Sequence, residues 1–180
     1  MNMPTALSLF IIIVTGLVGC TSSGARVGPA PLEAVETLDH DRYLGRWFEI
    51  ARYPNSFQRG LVGVTAEYSA RSDGAIQVVN RGHVGTLDGR EKSARAKAWI
   101  PDPSAPGKLK VRFFWPFTGA YWVIDLADDY AWAVVGEPSR RYLWILSRTP
   151  ELDEETLAMI EARITRHGYD VERLQRTRQR

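Results

Sequence analysis

The chain has 180 residues, of which 44% are hydrophobic and 24% charged, enough for one globular domain with a sizeable core. The formal net charge is only +2 and no long run of Lys or Arg occurs, so nothing in the charge indicates a nucleic-acid partner. The single cysteine, Cys20, excludes an internal disulfide bond and a zinc site built from several cysteines.

An uncharged apolar stretch over residues 7–14 leads into Cys20. It is shorter than the roughly 20 residues that a membrane-spanning helix needs and has the length of the apolar region of a signal peptide. We therefore predict a signal peptide over residues 1–19. Residues 1–6 contain no Lys or Arg, so positive charge there comes only from the amino terminus.

The residues that end this stretch, Leu17-Val18-Gly19-Cys20, resemble the bacterial lipobox. The resemblance implies cleavage before Cys20 and acylation of that residue. Thr21 follows the cysteine where lipoproteins kept in the inner membrane tend to have Asp, which implies the outer membrane, at its periplasmic face, for a Gram-negative source. The alternative is a secreted protein in which Cys20 lies near the cleavage site by chance.

The segment after the cysteine is rich in small residues, Gly and Pro. This composition is typical of a flexible tether. We predict a lipidated cysteine and tether over residues 20–34, followed by one domain over residues 35–180.

Near the start of this domain, Asp39 is placed to cap a single turn of helix. The chain then continues as short strand-like runs. The run 93–100 alternates small apolar with polar residues, and Ser72-Asp73-Gly74 is one of several turn signals between runs. Eight strands are predicted: 47–53, 60–70, 75–80, 93–100, 108–115, 121–126, 130–135 and 141–147. This spacing favours an antiparallel sandwich or barrel, and eight strands in up-and-down order close into a barrel that can hold one small ligand.

The pattern changes to a helix after Pro150. Acidic residues from Asp153 onward suit the first turn, and Leu157, Ile160 and Ile164 form one apolar stripe. We predict an all-β barrel with one C-terminal α-helix packed outside it. A last edge strand is predicted over residues 169–174, followed by a solvated tail.

Three short motifs occur in order along the chain: Gly45-Arg46-Trp47, Asp129-Tyr130, and Arg148. They resemble the motifs of the lipocalin family, with Asp128 where the family has Thr. The longer stretches 43–52 and 142–150 are similar to the bacterial, apolipoprotein D-like lipocalins. The resemblance implies that Trp47 closes one end of an eight-stranded barrel and that Arg148 packs across its ring, where a guanidinium can stack on an indole.

The family resemblance implies that a long-chain fatty acid or a lysophospholipid is the ligand, and it is compatible with a homodimer.

Six Trp, seven Tyr and six Phe need a core, a cavity or an interface to cover them. Strand alternation pairs side chains on one face but does not show which face points inward. The candidate cavity residues are Tyr68, Val78, Phe113, Trp115, Trp122, Ile124 and Trp144. The candidate polar contacts to a headgroup are Tyr53, Asn80 and Tyr142.

Three functions stay open at this point. The first is a membrane-anchored protein that holds or carries lipid, the second a lipid-modifying enzyme with the barrel as its pocket, and the third an envelope-interaction protein whose barrel is merely filled. No Gly-x-Ser-x-Gly, phosphate-loop or His-Glu-x-x-His motif occurs. We therefore predict no catalytic residue, no metal ligand and no cofactor, and plain packing remains the alternative role for each aromatic ring.

Overall fold

The computed structural model describes residues 30–114 and 116–180. Cys20, Trp115 and the predicted signal peptide lie outside the described residues. The strands are β1 (Gly45–Arg52), β2 (Leu61–Ala70), β3 (Ile76–Val84), β4 (Glu91–Trp99), β5 (Lys108–Phe114), β6 (Phe117–Leu126), β7 (Trp132–Gly136), β8 (Leu143–Ser147) and β9 (Gln175–Arg176). The α-helices are α1 (His40–Tyr43) and α2 (Glu154–Arg166), and Val171–Arg173 forms a 3-10 turn.

The strands form one antiparallel sheet that closes on itself. From β2 to β8 each strand pairs with the next along the chain, and β1 pairs with both β8 and β2. The predicted eight-stranded up-and-down barrel with a C-terminal helix is therefore confirmed. We call the end that holds α1 and the start of β1 the closed end. The opposite end, with loops 53–60, 85–90 and 137–142, is the open end.

The apolar core is divided in two by the barrel wall. The interior cluster fills the closed half of the barrel and includes Trp47, Ala66, Tyr68, Val78, Ala96, Ala98, Leu109, Val123, Val135 and Leu146. The helix-side cluster lies outside the wall, beneath α2, and includes Leu32, Ile50, Ile124, Trp132, Val134, Ile145, Leu157, Ile160 and Ile164. Strands β6 to β8 are therefore apolar on both faces, so the alternation of their residues does not show which face points into the barrel.

Helix α2 covers this outer face with the predicted stripe, since Leu157, Ile160 and Ile164 are each 0% exposed. Asp153 caps the helix by accepting a hydrogen bond from the Thr156 amide at 2.8 Å. Among the described residues, no helix is both long and apolar enough to cross a bilayer.

Removal of this cap is expected to destabilise the fold. Asp153→Ala leaves the Thr156 amide without its partner and should lower the free energy of unfolding measured by urea denaturation. Glu155→Ala, at an exposed position in the same turn, is the control. Equal losses in the two variants would contradict a specific role for the cap.

The predicted edge strand over 169–174 is wrong in position. Asp170 accepts a hydrogen bond from the Glu172 amide and so caps the 3-10 turn that occupies this segment, and pairing with β1 starts only at Gln175. The tail that follows is not simply solvated. Arg176 and Arg178 are exposed, but Thr177 between them is buried.

The tail completes the barrel wall where β1 and β2 separate. Thr177 donates from its amide to the Ile50 carbonyl, and the Gln179 amide group donates to the carbonyls of Glu49 and Val64, one on each strand. The Thr177 hydroxyl also contacts the buried ion pair of Glu49 and Arg52. The seam between the first two strands is thus held by backbone and side-chain groups of the C-terminal segment.

Candidate ligand-binding site in the barrel

The closed end is sealed by Trp47, which is 0% exposed. Its indole nitrogen donates to the Tyr43 carbonyl at 2.9 Å, and the Arg148 guanidinium lies 3.7 Å from the ring centroid on the outer side. Arg148 also donates to the carbonyls of Arg42 and Arg46, which ties β8 to α1 and β1. Gly45 has a φ of +90°, a conformation that favours glycine. These contacts close this end of the barrel and form its floor.

The Asp129-Tyr130 motif fixes the turn between β6 and β7 at the same end. Asp129 accepts a hydrogen bond from the Ala131 amide, and the Tyr130 hydroxyl accepts one from the Asp39 amide at 2.8 Å. The Arg42 guanidinium stacks over the Tyr130 ring at 4.1 Å. The motif therefore joins the segment before α1 to the floor and has a structural role here.

The inner wall becomes more exposed from the closed end to the open end. On β4 the inward residues Ala98 and Ala96 are 2% and 4% exposed, whereas Ala94, next on the same face, is exposed. Strand β5 shows the same trend, because the inward Leu109 is buried and the inward Val111, nearer the open end, is half-buried. The inner face of the barrel is thus accessible to solvent toward the open end, where Ala94 and Val111 are small and apolar. We call the interior of this half of the barrel the chamber.

Three tyrosine hydroxyls meet on the floor of this chamber. The Tyr121 hydroxyl lies 2.8 Å from that of Tyr43 and 2.8 Å from that of Tyr68. Burial raises the pKa of Tyr68 to about 12 and holds the pKa values of Tyr43 and Tyr121 well above the usual range. The trio is therefore neutral at physiological pH. Its three hydroxyls carry three protons, and two of these form the hydrogen bonds within the trio, so the third can be donated to another acceptor.

The raised pKa values predict a loss of stability in alkali. The fold favours the neutral hydroxyls, so their contribution is fully present below the unfolded-state pKa of about 10. It is lost as pH rises toward the folded-state pKa, which is about 12 for Tyr68. We expect the urea midpoint to fall over this interval and to fall less in Tyr68→Phe. A Tyr142→Phe control that reduced the alkaline loss equally would contradict the assignment.

The open end is framed by a second aromatic group. Trp144 stacks on Tyr142 with 5.9 Å between ring centroids, and the Phe57 ring lies 5.8 Å from that of Tyr142. The Trp144 indole nitrogen donates to the Gln58 side chain at 2.9 Å. Loop 53–60 is thereby held to β8 at the rim of the chamber.

The structure brings about half of the candidate ligand residues together. Tyr68 and Val78 lie in the interior cluster, and Trp144 packs against it. Asn80 shares the face of Val78 and pairs with the inward Ala66. Phe113 and Tyr142 lie at the open end, while Trp115 is outside the described residues. Their contact with a ligand stays a prediction.

Three candidates point the other way and are corrected. Trp122 and Ile124 do share a face, but that face belongs to the helix-side cluster, and the inward residues of β6 are Tyr121 and Val123. Both faces of β6 are apolar, so the pattern could not show which was inside. Tyr53 also lies in the helix-side cluster, where its hydroxyl donates to the Asp170 carbonyl at 2.8 Å.

Sequence reasoning missed Tyr43 and Tyr121 as chamber residues. Tyr121 shares its alternation phase with Val123, so the correct face of β6 would have revealed it. Tyr43 is on α1, and no strand pattern could place it. No group of three or more His, Cys, Asp or Glu side chains that could hold a metal ion occurs within residues 30–114 and 116–180.

A barrel with a sealed floor, an open chamber and an external helix fits one family. The family model for a lipocalin-like domain matches residues 38–179. The chain belongs to the lipocalin family. The sequence prediction of this family is confirmed.

This lipocalin is similar to bacterial and animal relatives along most of its length. It is 40% identical to outer membrane lipoprotein Blc of Vibrio cholerae over 169 residues, which cover 93% of this chain and 95% of that one. It is 43% identical to Blc of Escherichia coli K12, covering 86% and 85%, and 32% identical to bovine apolipoprotein D, covering 92% and 91%. None of these names states an enzymatic activity.

Solved structures support the fold of this lipocalin. Insecticyanin of the tobacco hornworm superposes with a TM-score of 0.64 at 21% identity, covering 81% of this chain and 83% of that one. Apocrustacyanin C2 superposes with a TM-score of 0.64 at 20% identity, covering 83% and 90%. Identities this low carry the fold and nothing about the ligand.

Proposed function

We propose that this lipocalin binds a single-chain lipid, a long-chain fatty acid or a lysophospholipid, and holds or carries it in the cell envelope. The observation that carries the proposal is the gradient of burial along the inner wall, from Ala98 at 2% exposed to an exposed Ala94. An apolar chamber open at one end takes an acyl chain inward and leaves a polar headgroup near water.

The chamber offers polar groups at both of its ends. The tyrosine trio on the floor is neutral, so it can donate a hydrogen bond without placing a charge beside an acyl chain. Lys92 lies on the same face of β4 as Ala94 and nearer the open end, and it is exposed. We assign Lys92 as the contact to the anionic group of the ligand, a role that its place in the strand pattern alone does not predict.

Binding is tested by titrating delipidated protein with palmitate and with lysophospholipid while following tryptophan fluorescence. Trp144 at the rim should respond, and the response should saturate. Lys92→Gln should weaken the binding of palmitate more than that of its uncharged methyl ester. No response to either lipid would exclude the binding function, and lipid products accumulating over hours would favour the enzyme alternative.

The proposed place of action is the outer membrane, where Cys20 carries acyl chains at the periplasmic face. The lipobox resemblance supports this, as does the similarity to two bacterial proteins named outer membrane lipoproteins. Several acyl chains, each methylene contributing about 0.8 kcal/mol, would anchor the chain firmly. The homodimer stays a prediction of the family resemblance, and sedimentation velocity would decide it.

The anchor is tested by mass spectrometry of the membrane fraction. Cys20→Ala should lose the acyl mass and leave the membrane fraction, whereas Thr21→Ala, beside it, should keep both. An unchanged mass and location in Cys20→Ala would exclude the anchor and leave the binding proposal standing.

A further inference from the structure

The exposed large apolar side chains of residues 30–114 and 116–180 are all at the open end of the barrel. They are Phe57, Val84, Phe113, Phe114 and Phe117, with exposed fractions from 39% to 68%. Three of them surround the β5–β6 turn, where the rings of Phe114 and Phe117 lie edge to face with 5.6 Å between centroids. Single exposed apolar residues are ordinary, but a group of large rings at one end indicates a surface that something covers.

The loops at the two ends of the barrel carry net charges of opposite sign. Loops 53–60, 85–90 and 137–142 at the open end contain four basic and two acidic residues. The basic ones are Arg59, Arg90, Arg140 and Arg141. Loops 71–75, 100–107, 127–131 and 148–153 at the closed end contain six acidic and two basic residues. The end that carries the exposed rings is therefore also the end that an anionic surface attracts.

The N-terminal segment reaches the barrel at this same end. Arg140, on loop 137–142, donates to the Ala30 carbonyl at 2.6 Å, and Leu32 is buried in the helix-side cluster. Cys20 is ten positions before Ala30. Ten residues of fully extended chain reach at most about 36 Å. An acyl anchor on Cys20 therefore keeps the open end near the bilayer.

From these three observations we propose that the open end docks on the lipid bilayer that carries the anchor. Phe113, Phe114 and Phe117 enter the headgroup region. The exposed arginines of the open-end loops, Arg59, Arg90 and Arg141, contact anionic headgroups. A lipid can then pass between bilayer and chamber without crossing water. This goes beyond the proposed function and rests on it only for the position of the acylated residue.

The test places a fluorophore at each end of the acylated full chain. Phe114→Cys marks the open end, and Ala70→Cys, exposed at the closed end of β2, is the matched control. Because Cys20 is the chain's only cysteine, acylation leaves the introduced thiol alone to react with a fluorescent maleimide. The proteins are reconstituted in vesicles of phosphatidylethanolamine and phosphatidylglycerol, and quenching is measured with aqueous iodide and with nitroxide-labelled lipid.

Docking predicts that iodide quenches the label at position 114 several-fold less than the label at 70, and that nitroxide lipid quenches it several-fold more. Equal quenching at the two positions overturns the proposal. The proposal is also overturned if the label at position 114 is protected from iodide without vesicles and the protection grows with protein concentration. A second copy of the chain would then cover the open end. Maleimide reaction of the unsubstituted chain would refute the acylation instead, and the same two positions in a Cys20→Ser background would still decide the docking.

Discussion

Trp47→Ala is expected to lower the free energy of unfolding by about 3–5 kcal/mol. The ring is fully buried, and its removal leaves a cavity beneath Arg148 and the Tyr43 carbonyl without its donor. Urea denaturation followed by far-ultraviolet circular dichroism measures the change. Trp122→Ala, which removes a half-buried ring from the outer face of β6, should cost clearly less, and a cost equal to that of Trp47→Ala would contradict the sealing role.

The stacking of Arg148 on this ring can be measured separately by a double-mutant cycle. Arg148→Ala removes the guanidinium and its hydrogen bonds to carbonyls, so the single loss mixes two effects. The coupling energy between Trp47→Ala and Arg148→Ala isolates the contact, and we expect about 1 kcal/mol. A coupling near zero would mean that the arginine acts only through its hydrogen bonds.

Ala94→Trp is expected to abolish or strongly weaken lipid binding while the fold survives. Position 94 is exposed, on the inner face of β4 opposite Asn80, so an indole there fills the chamber instead of straining the packed floor. Each buried methylene contributes about 0.8 kcal/mol, and excluding three of them weakens binding about fiftyfold. The measurement is the fluorescence titration with palmitate.

The control for this variant is the neighbouring residue. Arg95→Trp puts the same side chain on the outer face of the same strand and should bind palmitate as the unsubstituted protein does. If Ala94→Trp retained full affinity with an unchanged unfolding midpoint, the ligand would have to lie elsewhere than in the barrel.

The sequence was sufficient for the architecture because its local signals agree with each other. Short alternating runs, turn residues between them and the stripe Leu157, Ile160 and Ile164 all require the same fold, and each is a property of neighbouring residues. The contact between Trp47 and Arg148 is long-range, and only the family motifs made it predictable. The assignment of Trp122 and Ile124 to the inner face was wrong. Apolar residues cover both faces of β6, so hydrophobicity does not show which face points into the barrel.

Other parts of the site could not be predicted, because they depend on where the chain leaves its regular pattern. A register shift between Glu49 and Ala51 precedes the segment in which Tyr53 lies under the helix instead of at the chamber. The tyrosine trio joins α1, β2 and β6 across sequence separations of 53 and 78 residues. The grouping of exposed rings at the open end becomes visible only when loops far apart in sequence are seen at one end of the barrel.

The seam held by Thr177 and Gln179 sets an order on folding. Its hydrogen bonds join residues that are 115 to 130 positions apart. We expect contacts of such separation to form late, because a long loop must close before they are made. Without the C-terminal segment, the ladder between β1 and β2 would be limited to Gly45–Phe48, and the ion pair of Glu49 and Arg52 would lose its contact with Thr177. A chain shortened before residue 175 would therefore keep most of its strands but leave the seam between β1 and β2 incomplete. We expect proteases to cleave it at that seam.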